Sequence, residues 1–591
     1  MSRARLGVLL LGITACSEVI IERSPHGDDG DGGNGGAPSS TTLVVATATA
    51  ATGSSVDTSS SVGTSSSVVS TSSGSTSSSA GGAGGSGGGP EDCEPGTVAS
   101  CFDGPPEAAG VGECAMGVAV CLPDGSAFGP CEGDILPTSQ QCGTGIDQDC
   151  DGFVSVGCDA TTVDAGAATA SNSGYSHTLA FDPDGDLFIA GDFSGTSVTV
   201  GGLTVATPAG QGQWLAKLTP SLDAIWIVTI PGNLIIWNLA SDADGRVVIA
   251  GRATGAINFG GGPISPPATQ DLFAAAYDAN GAFEWAHVAE GDGSNDLPDV
   301  ATLPDGDVVL VSNFTGSLQF EGAPVLSSAG SYDAFVARLD GSSGTAEWAD
   351  RYGASGQEVL FSVACTPSGQ ILVGGGAVTG DAVLDFGVNA TIGGPFAIAF
   401  ARLEGDGTPV WSGGFDGLSF GFLHVASGPT GDLYATGAID GPVDFGDGTI
   451  GSPTSDDLFI ARFDTSGQLV FSRSFGDSTG NQRGQGIAVD SLGNVLLTGW
   501  VQDEANGTID LGGGPVPVAD DLSIFVSKYT PLGDHMWSSV FGSLGYSVYD
   551  IDVAPDGTSA IIGMFTTGFD VGTGPLVADG TQDTFIALFA P

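Results

Sequence analysis

A sevenfold internal repeat constrains the fold of this 591-residue chain more than any other feature. A turn that ends in Gly recurs through the C-terminal part of the sequence, at Gly185, Gly245, Gly306, Gly369, Gly431, Gly493 and Gly557. Successive glycines are 60, 61, 63, 62, 62 and 64 residues apart. Such a period is typical of architectures in which each repeat buries its apolar surface against its neighbours.

Each repeat has the pattern of about four short strands. The turn is followed by an apolar run such as Leu187–Ala190, a short segment that ends in Gly such as Asp444–Gly446, and an alternating run such as Phe335–Leu339. An aromatic position ends the pattern, at Trp226, Trp285, Trp348, Trp411, Phe471 and Trp537. No amphipathic helical stretch is present. One four-stranded sheet cannot bury both faces, whereas a closed ring of sheets can, so the repeats predict an all-β, seven-bladed β-propeller over residues 161–591.

The two ends of the repeat region predict how the ring closes. The last repeat stops at Phe585–Phe589 and never reaches an aromatic strand. That strand lies 19 to 22 residues before each turn glycine, and the same distance before Gly185 falls within Thr161–Ala170. We therefore expect an N-terminal strand from this run to complete the last blade, a complementarity that an open solenoid would not show.

These repeats resemble the bacterial β-propeller repeats called SBBP, whose units read roughly Gly-Asn-Val-x-Val-x-Gly, Asp-Phe-Gly and Asp-x-Phe-Val-Ala-Lys. The matching segments are Gly493–Gly499, Asp444–Gly446 and Asp333–Arg338. The resemblance covers residues 161–591. It implies the propeller fold and a secreted or surface protein, and it is uninformative about activity.

The N-terminus has the pattern of an export signal. Arg3 and Arg5 precede the apolar run Leu6–Ile13, which is too short to span a bilayer, and small residues precede Cys16. This arrangement resembles the lipobox of bacterial lipoproteins. The resemblance implies that residues 1–15 are removed and that Cys16 is lipidated, so that a lipid anchor alone holds the protein at the outer membrane or cell surface. A secretory signal with a chance cysteine is the alternative.

Residues 16–90 and 91–160 differ sharply in composition. The first segment is rich in Gly, Ser and Thr, buries too little apolar surface to order, and predicts a disordered tether. The second contains eight of the ten cysteines, which predicts a small disulfide-stabilised module in an exported chain. Zinc is the alternative, but closely spaced cysteine pairs are absent. The eight are Cys93, Cys101, Cys114, Cys121, Cys131, Cys142, Cys150 and Cys158.

The module also contains the first half of a calcium loop. Carboxylates at alternate positions before a glycine allow several oxygens to converge on one hard cation. The candidate ligands are Asp147, Asp149, Asp151 and the carbonyl of Phe153, whereas Cys158 stands where a calcium loop has Glu. The segment resembles the Cys-rich metal-binding motif of many deltaproteobacterial surface proteins, whose core reads Asp-x-Asp-Cys-Asp-Gly. We expect a structural calcium ion here. A turn fixed by the Cys150 disulfide is the alternative.

The charge of the chain excludes classes of partner. With 68 acidic and 13 basic residues, the net charge is −55, so nucleic acid is not expected as a partner, because binding phosphates requires clustered cations. Five of the 13 cations share one strand position, at Lys217, Arg338, Arg402, Arg462 and Lys528. We expect them to neutralise carboxylates between blades with their stems packed. A ligand-binding ring is the alternative.

The sequence favours a binding protein over an enzyme. It shows no linked nucleophile, base and orienting residue, and the repeats are even. The histidines lie in different registers and form no ring of metal ligands. The layout of lipobox, tether, Cys-rich module and propeller resembles that of myxobacterial surface lipoproteins. We therefore expect a non-catalytic cell-surface lipoprotein whose propeller binds a protein or glycan partner or acts as a scaffold. The alternatives are a propeller-type extracellular enzyme, such as a glycosidase or lyase, and a passive coat or spacer protein.

Overall fold

The computed structural model describes residues 93–136 and 178–591 with gaps, and the backbone of residues 44–46 and 164–167. The gaps are residues 94, 103–113, 125, 132, 265–270, 294, 380–381, 389–391, 394–396, 418–422, 453–454, 477–479, 503–506, 519–521, 543–547 and 566–582. The regular elements of the described residues are β-strands, and no helix among them has the length and apolarity to cross a membrane.

The described strands are numbered in chain order. The first four are β1 (Val44–Ala46), β2 (Val98–Cys101), β3 (Gly117–Val120) and β4 (Asp164–Ala167). Blade 1 contains β5 (Thr178–Phe181), β6 (Leu187–Val200), β7 (Leu203–Leu218) and β8 (Ala224–Pro231). Blade 2 contains β9 (Asn233–Ser241), β10 (Val247–Thr254), β11 (Ile257–Asn258), β12 (Pro263–Ile264), β13 (Asp271–Tyr277) and β14 (Phe283–Gly291). Blade 3 contains β15 (Asn295–Thr302), β16 (Val308–Phe314), β17 (Ser317–Gln319), β18 (Leu326–Ser327), β19 (Asp333–Leu339) and β20 (Ala346–Tyr352).

Blades 4 to 7 follow the same plan. Blade 4 contains β21 (Glu358–Cys365), β22 (Ile371–Ala377), β23 (Val383–Leu384), β24 (Ile392–Gly393), β25 (Ala397–Leu403) and β26 (Pro409–Asp416). Blade 5 contains β27 (Leu423–Ser427), β28 (Leu433–Asp440), β29 (Val443–Asp444), β30 (Thr449–Ile450), β31 (Asp456–Phe463) and β32 (Leu469–Phe475). Blade 6 contains β33 (Asn481–Val489), β34 (Val495–Gln502), β35 (Thr508–Asp510), β36 (Pro515–Pro517), β37 (Ser523–Tyr529) and β38 (His535–Gly542). Blade 7 contains β39 (Val548–Val553), β40 (Ser559–Phe565) and β41 (Asp583–Phe589).

Each blade is an antiparallel meander whose main strands we call A to D from the inside outwards, as in the order β21-β22-β25-β26 of blade 4. The A strands β5, β9, β15, β21, β27, β33 and β39 contact one another in turn, and β39 also contacts β5. This last contact makes the array a ring rather than an open solenoid. The prediction of a seven-bladed propeller is confirmed.

Blade 7 takes its outermost strand from the N-terminal side of the propeller. Strand β4 pairs antiparallel with β41, with Ala165 opposite Ala587 and Ala167 opposite Phe585. This confirms the predicted closing strand. Strand β1 in turn pairs with the outer edge of β4, and the rest of residues 16–90, the predicted tether, lies outside the described residues. Val44 and Val45 are β-branched residues that suit a strand, and β4 offers them an open edge.

The apolar core lies between the blades, in seven clusters. Each cluster combines residues of two neighbouring blades, and one joins Leu179 and Leu187 of blade 1 to Ile562 and Ile586 of blade 7. Complete burial of such a side chain contributes about 1.5–3 kcal/mol. Because no blade buries these faces alone, the closed ring is the stable unit.

A packing rule joins successive blades on the outside of the ring. The aromatic residue of strand D lies against the glycine of the next C–D turn, as Trp226 does against Gly281. At the seam between blades 7 and 1, strand β4 has no aromatic residue, and the turn residue is Leu222 rather than glycine. Leu222 has φ 63° and is buried in the cluster between these two blades. Its side chain compensates for the missing aromatic ring.

The two faces of the ring differ. The A–B turns repeat one hydrogen-bonded form in all seven blades, in which the first residue and the turn glycine pair as Asp242 and Gly245 do. The C–D turns lie at the same end of the strands, and we call this end the turn face. The B–C connections leave the opposite end of the strands and form a second surface, which we call the hairpin face. Five of them contain a short two-stranded hairpin in the described residues, and the hairpin tips fold back along the outside of the ring towards the start of strand D, as Gly446 does against Leu469. The B–C connections therefore differ from blade to blade, whereas the A–B turns are equivalent.

Candidate functional site

The predicted sites of the N-terminal region lie largely outside the described residues. This applies to the lipidation site Cys16 and to the candidate calcium ligands Asp147, Asp149, Asp151 and Phe153, so both sites stay predictions. In the described part of the chain, no group of three His, Cys, Asp or Glu residues is placed to hold a metal ion.

The Cys-rich module contains disulfides, as predicted. Cys93 pairs with Cys121, and Cys101 pairs with Cys131. Cys114 is also disulfide-bonded, to a partner outside the described residues, and Cys142, Cys150 and Cys158 lie outside them as well. The two described bridges connect the short hairpin of β2 and β3 to flanking loops. They stabilise a segment that is too small for an extensive apolar core.

The five cations at the shared strand position contact the turns of the turn face. Lys217 lies 2.6 Å from Asp182 and 3.2 Å from Asp186, both in the A–B turn of its own blade. Burial alone would lower the pKa of Lys217, but the hydrogen bonds and charges of these two carboxylates raise it. Arg462 pairs with Asp432 at 2.9 Å, and Lys528 with Asp490 at 3.2 Å.

The contacts that these cations make between blades go to carbonyl groups rather than to carboxylates. Arg338 donates to the carbonyl of Gly405 at 2.9 Å, and Arg402 donates to that of Gly431 at 2.7 Å, each in the next blade. Blade 2 has Ala276 at the shared position, and Arg246 of its A–B turn instead donates to carbonyls of Gly306 and Gly341 in blade 3. These cations stabilise the turn face and are engaged with the protein itself.

A polar belt surrounds the centre of the ring. Seven residues before each turn glycine, six A strands carry a polar residue, namely Thr178, Asn238, Asp299, Ser362, His424 and Asp550, and the A strand of blade 6 has Gly486. The hydroxyl oxygen of Thr178 lies 2.9 Å from Asp550 Oδ2 and 3.1 Å from Asn238 Oδ1, and the amide of Asn238 donates to Asp299. The belt therefore links blade 7 to blade 3 through four side chains.

The belt satisfies backbone groups on the open inner edges of the A strands. Asp550 Oδ2 accepts the N–H of Leu179 at 3.1 Å, and Asp299 Oδ2 accepts that of Val363 at 2.7 Å. Ser362 accepts the N–H of Val425 at 3.1 Å. A side chain of one blade thus hydrogen-bonds the inner strand of the next, which positions neighbouring blades around the ring.

Three carboxyl groups at the centre titrate near neutral pH. Burial raises the pKa of Asp299 and of Asp552 to about 6 and that of Asp550 to about 7, and the neighbouring charge of Asp552 also raises the pKa of Asp550. Asp552 accepts the N–H of Phe181 at 2.8 Å. No ion pair involves these three groups in the described part of the chain. Because these carboxyl groups hydrogen-bond within the ring, their protonation couples the stability of the ring to pH.

Burial shifts the pKa values of the described histidines and of the free thiol. Burial lowers the pKa of His424 to about 4 and also lowers the pKa values of His287 and His535. Cys365 is half-buried, and burial raises the pKa of its thiol. Because the thiolate is the reactive form, this cysteine is a weak nucleophile at neutral pH.

A cavity of about 390 Å³ lies beside strand D of blade 2, between that strand and residues of the B–C connections of blades 2 and 3. Its lining includes Ile264 of β12, His287 and Val288 of β14, and the carboxylates Glu290 and Glu321. The backbone N–H of Glu321 donates to His287 Nε2 at 3.2 Å, and the imidazole stacks on Phe320 with ring centroids 6.0 Å apart. Two carboxylates, a neutral imidazole and apolar walls suit a ligand that offers hydrogen-bond donors or positive charge.

Sequence reasoning identified neither the belt nor the cavity. The belt was detectable, because its six polar members stand at one distance from the turn glycine. The cavity had no such signal. It forms where the hairpin of β17 and β18, which belongs to blade 3 in sequence, pairs through β17 with β14 of blade 2.

No protein-family model and no curated protein matches this sequence. Solved structures similar to part of it include a protein of unknown function from Dyadobacter fermentans, at 14% identity over 61% of this chain and 95% of that chain, with a TM-score of 0.30. A quinohemoprotein alcohol dehydrogenase from Comamonas testosteroni is 11% identical over 66% of this chain and 74% of its own, with a TM-score of 0.34. An α-L-arabinanase from Penicillium chrysogenum is 11% identical over 62% and 96%, with a TM-score of 0.29. These likenesses do not distinguish an enzyme from a binding protein.

Proposed function

We propose that this chain is a non-catalytic cell-surface lipoprotein whose propeller binds a protein or glycan partner through its hairpin face. The observation that supports the proposal is the difference between the two faces. The turn face consists of short turns, equivalent in all seven A–B connections, whose cations and carbonyls bond within the ring. The hairpin face carries the described hairpins and the cavity beside blade 2, where loops positioned by a rigid scaffold are available to a partner.

The N-terminal region would place this surface outside the cell. Lipid on Cys16 provides an anchor, residues 17–90 a tether, and the Cys-rich module a junction that a calcium ion at Asp147, Asp149, Asp151 and Phe153 would stabilise. Mass analysis of the intact protein tests the lipid, with a Cys16→Ser variant as the control that is released from the membrane. Addition of a chelator tests the calcium site. Removal of calcium is expected to lower the melting temperature of the module, and Asp149→Asn is expected to abolish that response.

Binding is tested with the Cys16→Ser chain on a glycan array and against surface proteins extracted from the producing cells. To distinguish the faces, two exposed positions are converted to cysteine in a Cys365→Ser background and labelled with a bulky maleimide. Val325, on the hairpin face, is 52% exposed, and Leu532, on the turn face, is 62% exposed. The label at Val325 should weaken binding, whereas the label at Leu532 should not. Equal effects would contradict the assignment of the hairpin face.

The enzyme alternative has its own test. Turnover of glycoside or ester substrates by the same protein, above that of heat-denatured protein, would contradict the non-catalytic proposal. No signal in this assay together with no partner would favour the passive coat or spacer.

A further inference from the structure

The cavity beside blade 2 has two carboxylates that form no ion pair in the described part of the chain. Glu290 and Glu321 are exposed and line the cavity together with Gln319, which is the strand partner of Glu290. His287 does not compensate their charge, because burial lowers its pKa even though both carboxylates act to raise it. At neutral pH the cavity therefore has two negative charges. It is complementary to a ligand with a positive charge.

The floor of the cavity is the open edge of a strand. Strand β14 pairs with β13 along its inner side, but on its outer side β17 pairs only with Glu290 and Gly291. The consecutive residues Ala286, His287 and Val288 line the cavity and have no strand partner on that side among the described residues. Their edge can accept an additional antiparallel or parallel strand, a recurrent mode of peptide recognition.

The walls favour a long aliphatic side chain over a small cation. Ile264 and Val288 provide apolar surface beside the carboxylates. Lys and Arg side chains pack their methylene stems on such surface while the charged end reaches polar groups. A bare metal ion is not favoured, because the lining carboxylates and imidazole are not arranged as a metal site in the described structure.

We propose that an extended basic segment of a partner adds to the free edge of β14 and places a Lys or Arg side chain between Glu290 and Glu321. The inference rests on the proposed function, since it specifies the chemistry of a protein partner on the hairpin face. Backbone hydrogen bonds to β14 would provide affinity, and the paired carboxylates would provide selectivity for positive charge.

The test uses the full chain with Cys16→Ser and three fluorescein-labelled peptides of equal length. One alternates Val and Lys, the second alternates Val and Glu, and the third is the Val/Lys peptide N-methylated on alternate residues. Fluorescence anisotropy should show saturable binding of the first peptide, no binding of the second, and at least about tenfold weaker binding of the third, which corresponds to about 1.4 kcal/mol. No binding of the Val/Lys peptide at up to about 1 mM would overturn the proposal.

A matched pair of variants separates the cavity from the general negative charge of the chain. Glu290→Gln with Glu321→Gln should weaken the Val/Lys peptide at least about tenfold. Asp416→Asn with Asp534→Asn removes the same charge from exposed sites elsewhere and should change binding less than about twofold. Equal weakening by both pairs, or full binding of the N-methylated peptide, would overturn the proposal.

Failure of this inference can be recognised separately from failure of the proposed function. If a natural partner binds the hairpin face but ignores Glu290→Gln with Glu321→Gln, the cavity is not the binding site and only the inference fails. If the peptide binds as described but no natural partner is found, the site is supported and the proposed function fails.

Discussion

Replacing Gly281 by Ala adds one methyl group at the interface of blades 1 and 2 and tests the packing rule that joins the blades. A Cβ atom at this position would lie 2.8 Å from Cδ2 of Trp226, well inside the roughly 3.5–4.0 Å contact distance of carbon atoms. Trp226 cannot move freely, because its indole N–H donates to the carbonyl of Ala279 at 3.0 Å. Overpacking of this kind costs about 1–3 kcal/mol. A positive φ, here 78°, costs a residue with a side chain about 1–2 kcal/mol more.

The control is Gly245→Ala in the same blade. Gly245 has a φ of 75°, but its added methyl group would meet its nearest neighbour at 3.5 Å, which is ordinary contact. We expect a loss of about 2–5 kcal/mol for Gly281→Ala and about 1–2 kcal/mol for Gly245→Ala. Denaturant unfolding followed by tryptophan fluorescence measures both, and the slope with denaturant should stay constant. Equal losses would refute the packing rule, as would failure of Trp226→Leu to recover part of the Gly281→Ala loss.

The remaining predictions concern charge and the seam of the ring. Because folding raises the pKa values of Asp550 and Asp552 above the usual 3.8, their stabilising contribution is complete below about pH 4 and is lost as the pH rises through 6 and 7. Asp550→Asn should therefore reduce the loss of unfolding free energy between pH 5 and 8 by on the order of 2 kcal/mol, as measured by denaturation at several pH values. Arg462→Met leaves the Asp432 carboxylate buried without its cation and should cost about 2–4 kcal/mol, and adding Asp432→Asn should reduce that penalty in a double-mutant cycle. Leu222→Gly relieves the positive φ but removes a buried side chain, so thermal unfolding should show a net loss of about 1–3 kcal/mol, and a gain would contradict its compensating role at the seam.

The sequence contains the fold because each repeat encodes one blade locally. In Asp444-Phe445-Gly446 the Asp444 side chain accepts the Gly446 N–H at 2.8 Å, Phe445 is buried between blades, and Gly446 adopts a positive φ. Residues adjacent in sequence thus fix the turn and fill the core together. The closing strand was equally predictable, since a strand missing at one end of the repeats requires a donor at the other.

Features that depend on contacts between repeats were harder to predict. The cations were expected to reach carboxylates between blades, but Lys217 and Arg462 pair within their own A–B turns, because those turns lie directly beside strand C. The cross-blade bonds of these cations go to carbonyl groups, which every residue has and which no sequence pattern marks. The cavity arises from one hairpin pairing with a neighbouring blade, and strand β1 arises from an open edge at β4. Neither partner is adjacent in sequence.

Both faces of the propeller depend on closure of the ring, because they keep their shape only if blade 7 is complete. Hydrogen exchange of the intact chain, resolved to residues 164–167 and 585–588, measures that closure directly. A closed ring predicts slow exchange in both segments, comparable with that of central strand β16. It also predicts loss of protection in residues 585–588 when residues 161–170 are deleted. Rapid exchange of residues 164–167 in the intact chain, with 585–588 unaffected by the deletion, would contradict it.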